Sequence, residues 1–373
     1  MKKIGIMIIG ALPPPYIGPT IATKNLISAP NIKKAFELIL VDTSDPRPIR
    51  SMGKLDFVNV GIAVKNVLTF LSKIVLKRPT VIYIAISQNT WGYFRDLCFF
   101  IPAVLLKKQV VIHLRGSEFA DFYCSMSFPL KFLTKILFRN VAFGIVLGNS
   151  VRHVFNGLIE ESNIVVIHNG INYKEFDEVN VSRSHSSSKR ILFLSGLRRR
   201  KGILLFIEAL PLVINRCAEI EVIVAGEWID YDDKNAAEKL IRKHAIEDKI
   251  KFVGNVTGKK KYELYKTSDI FVFPPVEPEG MPWVILEAMS AGIPVISTDQ
   301  GTISEVIEDG VSGFIIEPNK DEIAKKICFL IENPEVSKRM GLRGRQIIEE
   351  RFSDQIYYKK IEETFRKAAL SKI

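Results

Sequence analysis

Glu279 and Glu287 are separated by seven residues in the run Phe273-Pro274-Pro275-Val276-Glu277-Pro278-Glu279-Gly280-Met281-Pro282-Trp283-Val284-Ile285-Leu286-Glu287-Ala288-Met289. The apolar stretch ending at Phe273 reads as a strand, and the prolines and glycine after it read as a loop. Pro282 suits the first turn of a helix, where its missing N–H costs nothing. That helix is predicted to run to Ala291 and stop at Gly292. Free N–H groups at its start form an anion site. Glu279 would sit beside that site, and Glu287 about one and a half turns into the helix. Carboxylates so placed can hold sugar hydroxyls, one near a reacting sugar and one on a ribose. The spacing suits equally a helix-capping acid and a solvated helix acid.

A second group is Ser195-Gly196-Leu197-Arg198-Arg199-Arg200-Lys201-Gly202. It follows a predicted strand, at the carboxyl end where open parallel sheets bind ligands. Four consecutive cations must be solvated or face an anion, and a diphosphate suits both Arg forks and a Lys point charge. Two further groups follow strands in the first half of the chain. In Pro13-Pro14-Pro15-Tyr16-Ile17-Gly18-Pro19-Thr20, Gly18 allows close backbone approach to a ligand. In His113-Leu114-Arg115-Gly116-Ser117-Glu118, His113 and Arg115 share one side of a strand, where they could meet a substrate. A core histidine is the alternative for His113. Asp230-Tyr231-Asp232-Asp233 opens a polar helix, where acids are favoured without any metal. No His or Cys cluster has metal-ligand spacing, and no Walker A motif, nucleophile elbow or G-x-G-x-x-G occurs.

These groups need elements to hold them. Strands are predicted at 4–9, 38–41, 81–86, 110–114, 143–147 and 165–168, with amphipathic helical stretches such as 57–75 and 130–139 between them. The alternation restarts at 191–194, 221–225, 251–253, 270–273, 294–297 and 313–316, and the chain closes on a helical pattern at 353–369. This is the pattern of α/β folds with buried parallel sheets. It divides into an N-terminal domain (1–180), a Ser-rich linker (181–190), a C-terminal domain (191–352) and a final helix (353–373).

Composition sets the outer limits. Of 373 residues, 47% are hydrophobic and 25% charged, which excludes a disordered or collagen-like chain. Four scattered cysteines exclude a disulfide scaffold and suit a reducing cytoplasm. The net charge of +11 is uneven: residues 1–186 carry 22 Lys and Arg against 12 Asp and Glu, and the rest carry 30 against 29. A basic first half can attract nucleic acid, anionic lipid or a phosphorylated substrate. The apolar runs at 4–12 and 97–106 are too short to span a bilayer. The first reads as a buried strand and the second as a buried or interfacial helix.

Taken together, these residues resemble the retaining glycosyltransferases of family 4, whose GT-B fold has two doubly wound Rossmann-like domains facing each other across a cleft. Glu279-Gly280-Met281-Pro282 through Glu287 resembles the family's E-x7-E motif in its "EGMP" form. Lys201-Gly202, Ala225-Gly226-Glu227, Phe252-Val253-Gly254, Asp309–Phe314, Asn169-Gly170-Ile171 and His113–Phe119 resemble its other landmarks. The resemblance implies a nucleoside-diphosphate-sugar donor, and no metal or other cofactor. It implies that Glu279, Lys201 and Arg198 are catalytic. Gly18, Arg199, Val253, Gly280, Met281, Pro282 and Glu287 would bind donor, with Lys201 and a neighbouring Arg on the diphosphate and Glu287 on the ribose. His113 and Arg115 become acceptor-side residues. The chain departs from the family pattern at Pro19, Gly196, Arg115 and Thr302.

The implied acceptor is a glycan or lipid-linked oligosaccharide in surface-polysaccharide assembly. The implied location is the cytoplasm, with peripheral contact on the anionic cytoplasmic face of the inner membrane near residues 65–78 and 94–108. A sugar-nucleotide epimerase or hydrolase of the same fold is the rival enzyme. Nucleic acid is not an expected partner, because the chain lacks a recognisable module or basic patches interleaved with aromatics.

Overall fold

The computed structural model describes residues 3–45, 57–181 and 188–371. The chain forms two compact units, Met1–Gly170 with Gln355–Ile373, and Ile171–Asp354. The division falls after Asn169-Gly170, ahead of the Ser-rich stretch at 181–190 that the sequence suggested; residues 182–187 of that stretch lie outside the described residues.

The first unit runs β1 (Ile4–Gly10), α1 (Gly18–Ser28), α2 (Pro30–Ala35), β2 (Phe36–Asp42), α3 (Phe57–Lys77), β3 (Val81–Ile86), α4 (Thr90–Leu105), β4 (Gln109–Leu114), α5 (Phe119–Ser125), α6 (Phe128–Phe138), β5 (Phe143–Val146) and β6 (Ile164–Val166). Its six strands form one sheet in the order β2-β1-β3-β4-β5-β6. Every pairing is parallel. Alternate residues of each strand face opposite sides. Met7, Ile9, Ile82 and Ile84 pack under α3–α6. Ile6, Ile8, Tyr83 and Val111 pack under α1, α2 and the last helix of the chain.

The second unit runs β7 (Lys189–Leu194), α7 (Ile203–Arg216), β8 (Ile220–Ala225), α8 (Tyr231–His244), β9 (Ile250–Gly254), α9 (Lys259–Lys266), β10 (Ile270–Phe273), α10 (Trp283–Ser290), β11 (Val295–Thr298), α11 (Ile303–Val306), β12 (Gly313–Ile316), α12 (Lys320–Glu332) and α13 (Pro334–Arg351). Its sheet, in the order β12-β11-β10-β7-β8-β9, is also all parallel. The strand order reverses between β7 and β10, the topological switch point at which open sheets of this kind bind ligands. α14 (Asp354–Leu370) follows, and from Gln355 onward it belongs to the first unit. Its Phe365 ring meets Phe36 and Tyr83 edge-on, with centroids 5.8 Å away in each case.

The expected α/β class holds, and the strands fall where the sequence puts them to within about two residues, as usual for element ends. At the E-x7-E segment the helix is shorter than expected. Pro282 is its N-cap residue, Ser290 its last, and Gly292 turns left-handed with φ +74°. Among the described residues no helix is long and apolar enough to cross a membrane.

Candidate functional site

The loops after β7 and β10 meet at the switch point of the second unit. Leaving β7, the chain donates backbone hydrogen bonds from Ser195 to Ala225 and from Leu197 to Glu227, at 3.1 and 2.8 Å. It then makes a 3-10 turn over Arg199–Lys201 and reverses at Gly202, with φ +82°. A Cβ at Gly202 would lie 1.9 Å from the Pro274 carbonyl oxygen, so only glycine allows this loop to close on the one after β10. That closure delivers Lys201, whose ammonium forms an ion pair with Glu279 and lies 5.9 Å from the Phe273 ring centroid.

The Glu279 loop is clamped from the far side. Gly301 has φ +66°, and a Cβ there would sit 1.6 Å from the Glu279 carbonyl oxygen. Thr302 donates to the Gly280 carbonyl through its hydroxyl at 2.8 Å and its N–H at 3.3 Å. Glu279 is therefore buried on a fixed backbone. Gly280, Met281 and Pro282 lead directly into α10, whose first turn has no side-chain cap, so its N–H groups remain open to an anion. α10 then carries Glu287 into the interior.

Glu287 has two partners that its sequence neighbourhood did not reveal, both on α9. Lys261 forms an ion pair with it, and the Tyr265 hydroxyl donates to Oε2 at 3.0 Å. Burial first, and the Glu287 charge second, push the Tyr265 phenol well above its usual range. Tyr265 therefore stays protonated and fixes the carboxylate. The resting site thus holds two buried carboxylates, each matched by a lysine.

The arginines of the turn divide their roles. Arg199 is pinned to Asp233: its N–H and its Nε reach the carboxylate at 2.7 and 2.6 Å. Arg198 is half-buried, and its side chain has no partner among the described residues. Asp230 caps α8 by accepting from the Asp232 N–H at 2.8 Å. Among the described residues no group of three or more His, Cys, Asp or Glu side chains is placed to hold a metal. Val253 lies on β9, the edge strand, one strand removed from β7, beside Phe252, whose ring sits 5.9 Å from that of Trp228.

In the first unit, Gly18 opens α1 directly beyond the proline loop that follows β1. His113 is fully buried on β4, with Nδ1 2.8 Å from the Tyr83 hydroxyl and Nε2 without a hydrogen-bond partner among the described residues. Burial, then the nearby Arg115 charge, lowers its pKa well below 6.5, so it is neutral. Arg115 donates to Tyr83 at 3.0 Å, to Tyr357 at 2.9 Å and to Asn169 at 3.0 Å. It thus meets neutral oxygens and pins α14 to β4.

Comparison with known proteins places this arrangement. Residues 175–347, just under half of the chain, match the family described as "Glycosyl transferases group 1". That span contains Lys201, Glu279 and Glu287. An uncharacterised glycosyltransferase of Methanocaldococcus jannaschii is 36% identical over 48% of this chain and 47% of its own, so the chain spans about half the length of that relative. A capsular polysaccharide biosynthesis glycosyltransferase of Staphylococcus aureus is 26% identical over 71% of this chain and 72% of its own. The Anabaena protein HepE, solved with UDP and glucose, matches 97% of this chain and 99% of its own at 20% identity, with a TM-score of 0.73. The fold is that of the GT-B glycosyltransferases.

Proposed function

We propose that this chain is a retaining, metal-independent glycosyltransferase that moves a sugar from a nucleoside diphosphate to an acceptor hydroxyl in surface-polysaccharide assembly, on a lipid-linked oligosaccharide. The observation that carries this is the meeting of Lys201 and Glu279 at the β7/β10 switch point, with Arg198 on the same turn without a partner among the described residues. Such a site offers cations for a diphosphate and a fixed carboxylate for the sugar beside it. The UDP and glucose held by the Anabaena neighbour support a nucleotide sugar as donor, and the capsular relative supports a polysaccharide product.

The chemistry follows from charge. The bond from the sugar's anomeric carbon to the diphosphate oxygen breaks, and the leaving diphosphate gains negative charge. The acceptor oxygen bonds to that carbon on the same face and gives up its proton to a diphosphate oxygen. Lys201, Arg198 and the N–H groups opening α10 stabilise the leaving group through a preorganised field. Protein cations thereby do the work of a metal ion. Glu279 holds the donor sugar, and Glu287, steadied by Tyr265, holds the ribose. On the acceptor side His113, fully buried against Tyr83, and Arg115, held by Tyr83, Tyr357 and Asn169, would act by positioning and not by touching the acceptor.

Lys201→Ala is expected to lower turnover by about 10²–10³-fold, the usual cost of removing one such donor. Unchanged turnover would overturn the assignment, and complete loss of activity in EDTA would overturn metal independence. A thermal-shift screen of nucleoside diphosphates identifies the donor, since a ligand of the native state raises its stability by about 2.7 kcal/mol at one hundred times Kd.

A further inference from the structure

The two lysine–carboxylate pairs of the second unit sit in different surroundings. Lys201 ends a turn rich in cations, where a diphosphate can draw it away from Glu279. Lys261 lies on the first turn of α9 and faces a carboxylate set into α10. Its side chain is 18% exposed, and that of Glu287 is 8% exposed. Lys261 and Tyr265, one helical turn apart, take one carboxylate oxygen each: the ammonium donates to Oε1 and the phenol to Oε2.

The other charges on the elements packed around α10 are committed elsewhere. On α9, Lys259 and Lys260 are exposed, and the Tyr262 hydroxyl donates to Glu175 of the 3-10 turn at Tyr173–Phe176. On α13, Arg345 donates to the Tyr173 and Ser290 carbonyls and pairs with Asp177 and Glu349, while Arg343 pairs with Glu308 and Glu350. β11 carries no charged residue. Among the described residues Lys261 is therefore the one cation bonded to Glu287. A buried carboxylate without a counter-charge is driven toward its neutral form. That form carries a hydrogen of its own, whereas the hydroxyls of a ribose need oxygens that accept.

We propose that Lys261 is a positioning residue for the donor: it keeps Glu287 charged and turned to accept the ribose hydroxyls, and acts only through that carboxylate. This rests on the reading of Glu287 as the ribose carboxylate, and adds the residue that makes a buried carboxylate fit for the task.

The test is calorimetric titration of the full chain with UDP, GDP and ADP, continued with whichever binds. Lys261→Met is expected to weaken binding by about tenfold or more at pH 7. Its dissociation constant, divided by that of the unsubstituted chain, should rise as pH falls from about 8 to 6, where a stranded buried carboxylate takes up its proton. The ratio cancels the titration of the ligand itself. Lys261→Arg keeps the charge and should retain most of the affinity. In a Glu287→Gln chain the group that Lys261 serves is gone, so adding Lys261→Met should weaken binding no further. That double variant removes both buried charges, so it is expected to fold even if the single methionine variant does not. Unaltered binding by Lys261→Met, a ratio that stays level with pH, or an equal loss in both backgrounds would overturn the inference and leave the donor reading intact. Failure of the unsubstituted chain to bind any of the three diphosphates would overturn the donor reading itself, and this inference with it.

Discussion

The two units share an architecture and differ on their outsides. Each is a six-stranded parallel sheet covered by helices. The first holds 25 Lys and Arg against 11 Asp and Glu, and the second 27 against 30. On the second unit the outer helices mix both signs, with pairs one turn apart such as Lys234–Glu238 on α8 and Arg345–Glu349 on α13. On the first, α3 and α6 carry lysines and no acid. Even the opposite face of the first sheet is ordinary: α14 carries Glu362 paired with Arg366. A buried parallel sheet dictates what points inward and leaves the outward side free. In this chain the second unit pairs both signs on its outer helices and gathers Lys201 and Glu279 in loops at a switch point, whereas the first leaves lysines and apolar side chains exposed on α3 and α6.

The sharpest way to break this contrast is a pair of substitutions on one helix. Phe138→Ala removes a ring buried against Phe100, Phe119 and Phe155 and is expected to cost about 3–5 kcal/mol in urea unfolding. Phe128→Ala, on the outward stripe ten residues earlier, is expected to stay within about 0.5 kcal/mol. Equal costs would mean that protein covers the outer stripe, and the contrast between units would fail.

A smaller effect separates the units by pH. His113 is buried neutral in the first unit, with a folded pKa below its unfolded value of 6.5. Protonation therefore favours the unfolded chain, and its contribution is lost as pH falls below about 6.5. Stability should drop by at most about 1.4 kcal/mol per pH unit between about pH 6.5 and 5.5, above the carboxylate range. His113→Gln should flatten that slope in urea midpoints measured against pH. An unchanged slope would place the titrating group elsewhere.

The smallest effect belongs to the mixed-charge surface of the second unit. Lys234→Ala breaks a pair whose side chains are 43% and 45% exposed, and should cost about 0.3–0.5 kcal/mol, less in high salt. A loss of several times that size would show that these pairs do more than keep the surface soluble.

The sheets were legible because strands buried on both faces read as unbroken apolar runs, such as Val81–Ile86 and Ile270–Phe273. Lys201 and Glu279 were legible as separate motifs, and their contact follows from a strand order that places β7 beside β10. The partners of Glu287 were not. Lys259-Lys260-Lys261 looks like a solvated basic turn, and only the tertiary packing of α9 on α10 turns Lys261 and Tyr265, one helical turn apart, toward a carboxylate. Arg199 likewise reads as a phosphate ligand until Asp233, 34 positions on, is seen to hold it. The units divide ahead of the Ser-rich stretch, whose composition is visible in sequence. The contacts that tie residues 171–179 to the second unit are not, among them the Ile171 N–H to Phe352 at 2.9 Å and the Phe176 ring 4.6 Å from Tyr262.

The return of α14 to the first unit has a consequence in time. A ribosome emits the β1–β6 segment before the second unit and α14, and domains tend to fold as they emerge. The first sheet, with α1 to α6, is complete in sequence by Gly170, yet Phe36 and Tyr83 wait for Phe365, which emerges only after the entire second unit. Throughout that interval one side of the nascent sheet is bare where Tyr357, Ile361, Phe365 and Ala368 will lie. The arrival of α14 thus closes a unit most of which was made before the second one.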